Sequence, residues 1–288
     1  MAITLYPPTR PRTLAELLDS SLKIFRATLP KCMPYGSLAI LLLQLPTLYE
    51  LSRGRMPPLI PSAAQMNDPV WITLYTVGYL LFCILWMATL LRQATVAAGR
   101  AAGPADLLEA LKQTPAIVAI ILLGNLLILL LLSSPIALTE LFRSVVLSLP
   151  QAMRLSQALI GPLRAVLFGV MLLASIYALV ALSLALPARM LTHKSVLQSL
   201  AYSLRLVRGN WWRTLALYAI AASIIITVLF FAEVMAALIL PGAIHQPAAR
   251  ALIAAVMLAL LAMGGIFFTA VVLNTFSDLE LRQSGRPG

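Results

Sequence analysis

The stretch ALIAAVMLALLAMGGIFFTAVVLNTF, Ala251–Phe276, runs for 26 residues without an acid or a base. A helix needs about 20 mostly apolar residues to cross a bilayer. Each charge at its centre would cost about 2.5–3.5 kcal/mol on insertion scales. A run this long and this clean therefore reads as a membrane span. Ala165–Leu186 is a second charge-free run, closed by Pro187.

Working outward, four more stretches qualify. They are Met33–Glu50, which holds Pro34 and Pro46, then Val70–Leu91, Pro115–Leu138 and Thr214–Leu240, the last followed by Pro241-Gly242. The expected fold is all-α and polytopic, a single membrane domain with six transmembrane helices. Composition agrees: 61% of the 288 residues are hydrophobic and the mean hydropathy is +0.94. Soluble globular chains are about 45–50% apolar. Pro150 and Gly161-Pro162 break up the stretch between Arg143 and Arg164, which reads as a partly helical outer loop.

The net charge is +11 and the isoelectric point about 10.3. Such a balance can signal nucleic-acid binding. Here the bases gather at the ends of apolar segments instead of in one stripe, so no nucleic-acid partner is expected. Counting Lys and Arg on alternate sides of six spans gives fifteen against six. The positive-inside rule then places both termini in the cytoplasm. The first 30 residues lack a central apolar block, so the first membrane helix is expected to drive insertion. Cys32 and Cys83 form no disulfide framework.

The segment before the first span has its own signal. Thr13-Leu14-Ala15-Glu16 spells a capping box. The helix it starts, to about Thr28, puts Leu14, Leu17, Leu18, Leu22 and Phe25 on one side. It reads either as an interfacial helix or as a stub packed on other cytoplasmic helices.

This segment recurs. Ser21-Leu22-Lys23-Ile24-Phe25-Arg26 matches Ser203-Leu204-Arg205-Leu206-Val207-Arg208 at an offset of 182, and Ala105–Glu109 echoes Ala15–Asp19 at 90. The chain thus reads as three units, about 13–92, 104–189 and 195–282. Each is an amphipathic helix followed by two membrane helices, an organisation common in transport folds and in simple duplications alike.

Several polar residues invite a functional reading. Glu233 is an acid within the fifth span; it is either a cation or proton site or a structural partner of Arg250, Arg53 or Arg143. Gln44 and Asn125 lie near mid-membrane, where amides join helices or meet a solute. Glu50 with Arg53, and Glu140 with Arg143, are spaced as outer i,i+3 ion pairs. Gly209 is suited to end one helix and Asn210 to begin the next. Trp211, Trp212 and Arg213, with Arg26, form a set for headgroup contact. Ala219, Ser223 and Thr227, and Ala251, Ala255 and Ala259, are small-residue faces for close helix approach, and Gly264-Gly265 a kink or a tight crossing. His193 and His245 fall on opposite sides, and no metal-ligand spacing, phosphate loop or nucleophile motif occurs. No cofactor, metal or catalytic residue is expected.

The run Leu14–Asp19 with Ile24-Phe25-Arg26, and Ser203–Arg208 with Gly209-Asn210-Trp211-Trp212-Arg213, resembles a broad group of bacterial inner-membrane proteins. The group includes the membrane domain attached to some glycerophosphodiester phosphodiesterases and free-standing relatives of unknown function. The resemblance implies an inner-membrane location. It does not carry over the phosphodiesterase activity, because the chain has no room for that domain. Two functions remain open. One is a non-enzymatic organiser of lipids with anionic headgroups, or of a protein partner. The other is a transporter or channel for a small solute or lipid that uses Glu233.

Overall fold

The computed structural model describes residues 6–8, 10–55, 62–147, 153–239 and 247–284. Among these there are helices and no strand. The chain is an all-α polytopic membrane protein. Five helices are long and apolar enough to span a bilayer, and a bent pair supplies a sixth span.

The helix α1, Leu14–Leu43, begins at the expected capping box: the Thr13 hydroxyl accepts from the Glu16 N–H and the Glu16 carboxylate accepts from the Thr13 N–H. It does not stop near Thr28. It runs on through Pro30 and Pro34, so the expected interfacial helix and the first span are one rod. A continuous buried stripe explains this. Leu17, Ser20, Ser21, Ile24, Thr28, Cys32, Gly36 and Ile40 recur at helical spacing and pack against neighbouring helices along the whole length.

The break comes later, at Gln44, where the axis bends by 49° into α2, Leu45–Ser52. Pro46 has no N–H to offer the carbonyl of Leu42, four residues back. The same rule acts in α7, Met153–Ser183, and α8, Ala185–Thr192. Pro187 does not close the fourth span; it frees the Ser183 carbonyl, and the helix breaks at Leu184, ahead of the proline.

After α3, Ala63–Met66, the long α4, Pro69–Ala97, returns beside α1. The short α5, Ala105–Lys112, leads into α6, Thr114–Leu147, which pairs with α7. The expected broken outer loop is mostly helix: α6 reaches Leu147, and α7 passes through Gly161-Pro162 unbroken. Pro150 lies outside the described residues. The helix α9, Val196–Val207, ends at Gly209, whose φ of 85° is the left-handed value glycine tolerates. Then α10, Trp211–Ile239, packs on α11, Pro247–Ser284, which also runs along α1.

Two glycines set the closest approaches. A Cβ on Gly78 would lie 2.4 Å from the Leu42 carbonyl oxygen, the carbonyl freed by Pro46. A Cβ on Gly265 would lie 2.5 Å from the Trp86 ring, so Gly264-Gly265 makes a tight crossing, and α11 runs through it without a break. The alanine faces do not have the expected role. Ala219, Ser223 and Thr227 are exposed, as are Ala251 and Ala255. Helix approach is set by glycine, and these stripes point outward.

Burial concentrates at one end. Cys83–Ala97 of α4, Ala178–Met190 across α7 and α8, Thr214–Ala221 of α10 and Ala262–Leu279 of α11 supply most of the core. We call this the basic end. Arg12 and Asp278, from opposite ends of the described chain, meet there.

Candidate functional site

The basic end is tied by a polar network that the apolar pattern hides. Asp278 of α11 is 1% exposed. Its carboxylate accepts from the Arg12 backbone N–H at 2.6 Å and from Arg282 at 2.8 Å, and pairs with Arg213 at 3.4 Å. Arg213 and Arg282 also donate to the Arg12 carbonyl. The Arg12 guanidinium reaches Ser20 at 2.8 Å, and Asn274 donates to Ser21 at 2.9 Å. One carboxylate thus gathers the N-terminal segment, α1, α10 and α11.

A second knot lies across the bundle. Arg92 of α4 pairs with Asp106 of α5 at 3.3 Å, donates to the carbonyls of Lys31 and Gly103, and lies over the Tyr35 ring at 4.3 Å. Thr95 donates to the other Asp106 oxygen at 3.1 Å. In a third contact, the Tyr202 hydroxyl of α9 donates to Glu280 at 2.9 Å with Lys194 over its ring. Burial, then the Glu280 carboxylate, push the Tyr202 phenol up to about 12.

These contacts fix which side of each short helix faces inward, and the result is unexpected. In α1 the inward stripe carries Ser20, Ser21 and Thr28, while Leu18 and Phe25 are half-exposed and Leu22 is exposed. In α9 the buried residues are Ser199, Ser203, Leu206 and Val207, while Leu197 is 72% exposed and Leu204 is also exposed. In α5 Asp106 and Ala110 are buried, and Leu108 and Leu111 are exposed. Serines and an aspartate thus share the inward face with Leu17, Ile24, Leu206 and Val207, while Leu22, Leu108, Leu111, Leu197 and Leu204 face outward. Beside those leucines stand Lys23, Arg26, Lys112, Arg205 and Arg208, all exposed.

The headgroup set divides. Trp212 is 72% exposed. Trp211 is half-buried, with its ring 4.1 Å from Trp212 and 5.8 Å from Tyr177. Arg26 is exposed. Arg213 leaves the set: its guanidinium is directed into the bundle, toward Asp278 and the Arg12 carbonyl.

The expected Glu50–Arg53 pair is re-partnered. Arg53 is the residue after α2, so its side chain leaves the Glu50 face. It pairs with Asp68 at 2.9 Å, at the start of α4, and lies over the Tyr49 ring. Burial opposes ionisation of Asp68, but the Trp71 and Val70 N–H groups, with Tyr49 and Arg53, hold its carboxyl below the usual value. Glu50 is buried. Glu140 lies 3.5 Å from Arg164 of α7; the Arg143 side chain expected beside it lies outside the described residues.

The intramembrane trio is dispersed. Gln44 is half-buried at the α1–α2 bend. Asn125 is on an exposed face of α6. Glu233 is exposed toward the far end of α10, and the Arg250 side chain considered as its partner lies outside the described residues. Four grooves on the described surface are lined by other residues. No group of three or more His, Cys, Asp or Glu that could hold a metal ion occurs among the described residues.

Apart from Arg213, which it gave to the headgroup set, the sequence reading missed the residues that lock this end: Asp278, Arg282, Asn274, Arg92 and Asp106. Asp278 had a usable signal: it is the first charge after the clean run Ala251–Phe276 and stands four residues before Arg282. Fold and site together define a multi-pass helical membrane protein with a polar lock at one end. No family model, curated protein or solved structure matches the chain.

Proposed function

We propose that this chain is a non-enzymatic protein of a bacterial inner membrane, with both termini in the cytoplasm, that binds and organises anionic lipids at the cytoplasmic leaflet. One observation carries the reading. At the basic end, three helical segments carry an outward row of exposed leucines, Leu22, Leu108, Leu111, Leu197 and Leu204, with Lys and Arg beside them. Exposed leucines flanked by cations suit the boundary between headgroups and acyl chains. Each base near an anionic surface contributes about 1 kcal/mol of attraction. Trp212, exposed like Arg208 four residues before it in sequence, suits the same surface. The location and the orientation rest on the fifteen-to-six bias in Lys and Arg and on the family resemblance.

The test is lipid competition in nanodiscs of mixed phosphatidylglycerol and phosphatidylcholine, read by mass spectrometry of the retained lipids. The wild-type protein should retain phosphatidylglycerol above its bulk fraction. Replacing Lys23, Arg26, Lys112, Arg205 and Arg208 with Gln should return the retained fraction to bulk. Retention at the bulk fraction by the wild type would defeat the proposal.

A further inference from the structure

The outward face of α1 does not simply end in solvent or lipid. Ala15, Leu18, Asp19, Leu22 and Phe25 form one wall of a groove of about 530 Å³. Ile224, Ile225 and Val228 of α10, with Leu260, Met263, Gly264 and Phe267 of α11, form the rest. Phe25 meets Phe267 edge to face at 5.8 Å where the walls converge. The volume is in the range of small-molecule sites, about 300–1,000 Å³.

We infer that this groove holds one acyl chain of an anionic phospholipid, with the headgroup phosphate at Arg26. The inference rests on the reading of the basic end as a lipid-contact surface and gives that surface one defined site. Three observations carry it. The first is depth. From Phe267, which meets Phe25, to Leu260 is seven residues, or about 10 Å of helix. One leaflet of the hydrocarbon core is about 15 Å deep, half of roughly 30 Å. The α11 wall of the groove therefore fits within one leaflet, inside the reach of one acyl chain entering at the Phe25 end.

The second is charge. The one acid on the groove wall, Asp19, is neutralised by Lys23 at 2.7 Å. Arg26 stands four residues after Leu22, which at about 100° per residue places its Cβ on the groove face. Its long side chain can extend to the headgroup level while its stem covers the trough. The mouth thus has one cation not held in an ion pair among the described residues, above an apolar trough. That combination fits a lipid monoanion better than a neutral hydrocarbon or an uncharged peptide helix.

The third is construction. The trough exists because α1 is held by its other face, through Ser20, Ser21 and Arg12 to Asn274 and Asp278. Had the leucine face packed inward, Leu18, Leu22 and Phe25 would fill this space.

The experiment uses the full chain in vesicles of phosphatidylglycerol and phosphatidylcholine. A phosphatidylglycerol probe with a diazirine near the end of one acyl chain is photolysed, and labelled peptides are mapped. Labelling should concentrate on 222–230 and 258–268, at least 5-fold above the equally exposed 122–132 of α6. Leu22→Trp should plug the mouth and cut groove labelling about 5-fold. Arg26→Gln should remove the preference over a phosphatidylcholine probe of the same chain. Both variants should keep the wild-type thermal midpoint, since both side chains are exposed. Uniform labelling of all exposed spans, or equal groove labelling by the two probes, would overturn the inference. So would a crosslink to a second copy of the chain at these residues in place of lipid. If phosphatidylglycerol is still enriched in nanodiscs while the groove is unlabelled, the site is wrong and the broader lipid-binding reading stands.

Discussion

The two ends of the bundle are built on different principles. At the basic end, spans and short helices converge on a core that includes Phe276, Leu184, Leu206 and Ile117, locked by Asp278 and Arg92. Toward the far end, α6 exposes Leu122, Leu126, Leu129 and Leu130, and α10 exposes Ile226, Phe230 and Phe231. In water that surface would collapse. In a bilayer there is no hydrophobic force between helices, because lipid tails are as apolar as leucine. Close contact there needs hydrogen bonds or small residues that admit a backbone. The basic end has both; much of the far end has neither. The difference teaches that apolar content puts these helices in the membrane, while a few polar groups and glycines decide where they touch.

The comparison breaks most sharply at Asp278. Asp278→Ala leaves Arg12, Arg213 and Arg282 clustered without their carboxylate. Removing one partner of a buried pair costs about 3–5 kcal/mol, and the low end applies because both arginine side chains are about a quarter exposed. A thermal unfolding series in detergent should show this as the largest loss. Gly78→Ala should come next, at about 2 kcal/mol, because the new methyl meets a backbone carbonyl that cannot rotate away. Gly265→Ala presses on the Trp86 side chain, which can shift, and should cost less. Leu129→Ala and Phe231→Ala, at the open end, should each stay within about 0.5 kcal/mol of wild type. A loss at Leu129 as large as that at Gly78 would erase the distinction between the two ends.

The smallest effect concerns pH. Asp68 has a lowered carboxyl pKa in the folded chain. The stability it contributes is complete above the unfolded value of about 3.9 and is lost as pH falls through the lower, folded value. The thermal midpoint of the wild type should therefore fall on acidification below about pH 4 by more than that of Asp68→Asn.

The spans were legible in the sequence because burial in a bilayer needs only length and the absence of charge, and Ala251–Phe276 supplies both. The capping box at Thr13 was legible because it is local. Helix breaks were harder. Pro46 and Pro187 act on the carbonyl four residues back, so the break precedes the proline; Pro30, Pro34 and Pro162 sit inside unbroken helices. The leucine side of α1 divides: Leu17 is buried with Ser20, Ser21, Ile24 and Thr28, Leu14, Leu18 and Phe25 are half-buried, and Leu22 faces outward. A soluble helix would pack its whole apolar side. Where lipid competes for leucine, Ser20, Ser21 and Thr28 share the packed face with Leu17 and Ile24. The partners of Asp278 are from 4 to 266 residues away in sequence. No local pattern encodes such contacts, so the polar lock emerged only from the fold.

The central claim is that the leucines of the short helices lie in the headgroup boundary of a membrane. It is tested most directly by placing a nitroxide, one at a time, at Leu108, Leu197 and Leu204 of the protein in phosphatidylglycerol-containing vesicles. Collision rates with oxygen and with a water-soluble nickel complex then report depth. The account predicts that all three sites meet oxygen more often than nickel and lie within a few ångströms of the phosphate level. Nitroxides freely accessible to the nickel complex at all three sites would contradict it, because the exposed leucines would then face water and not lipid.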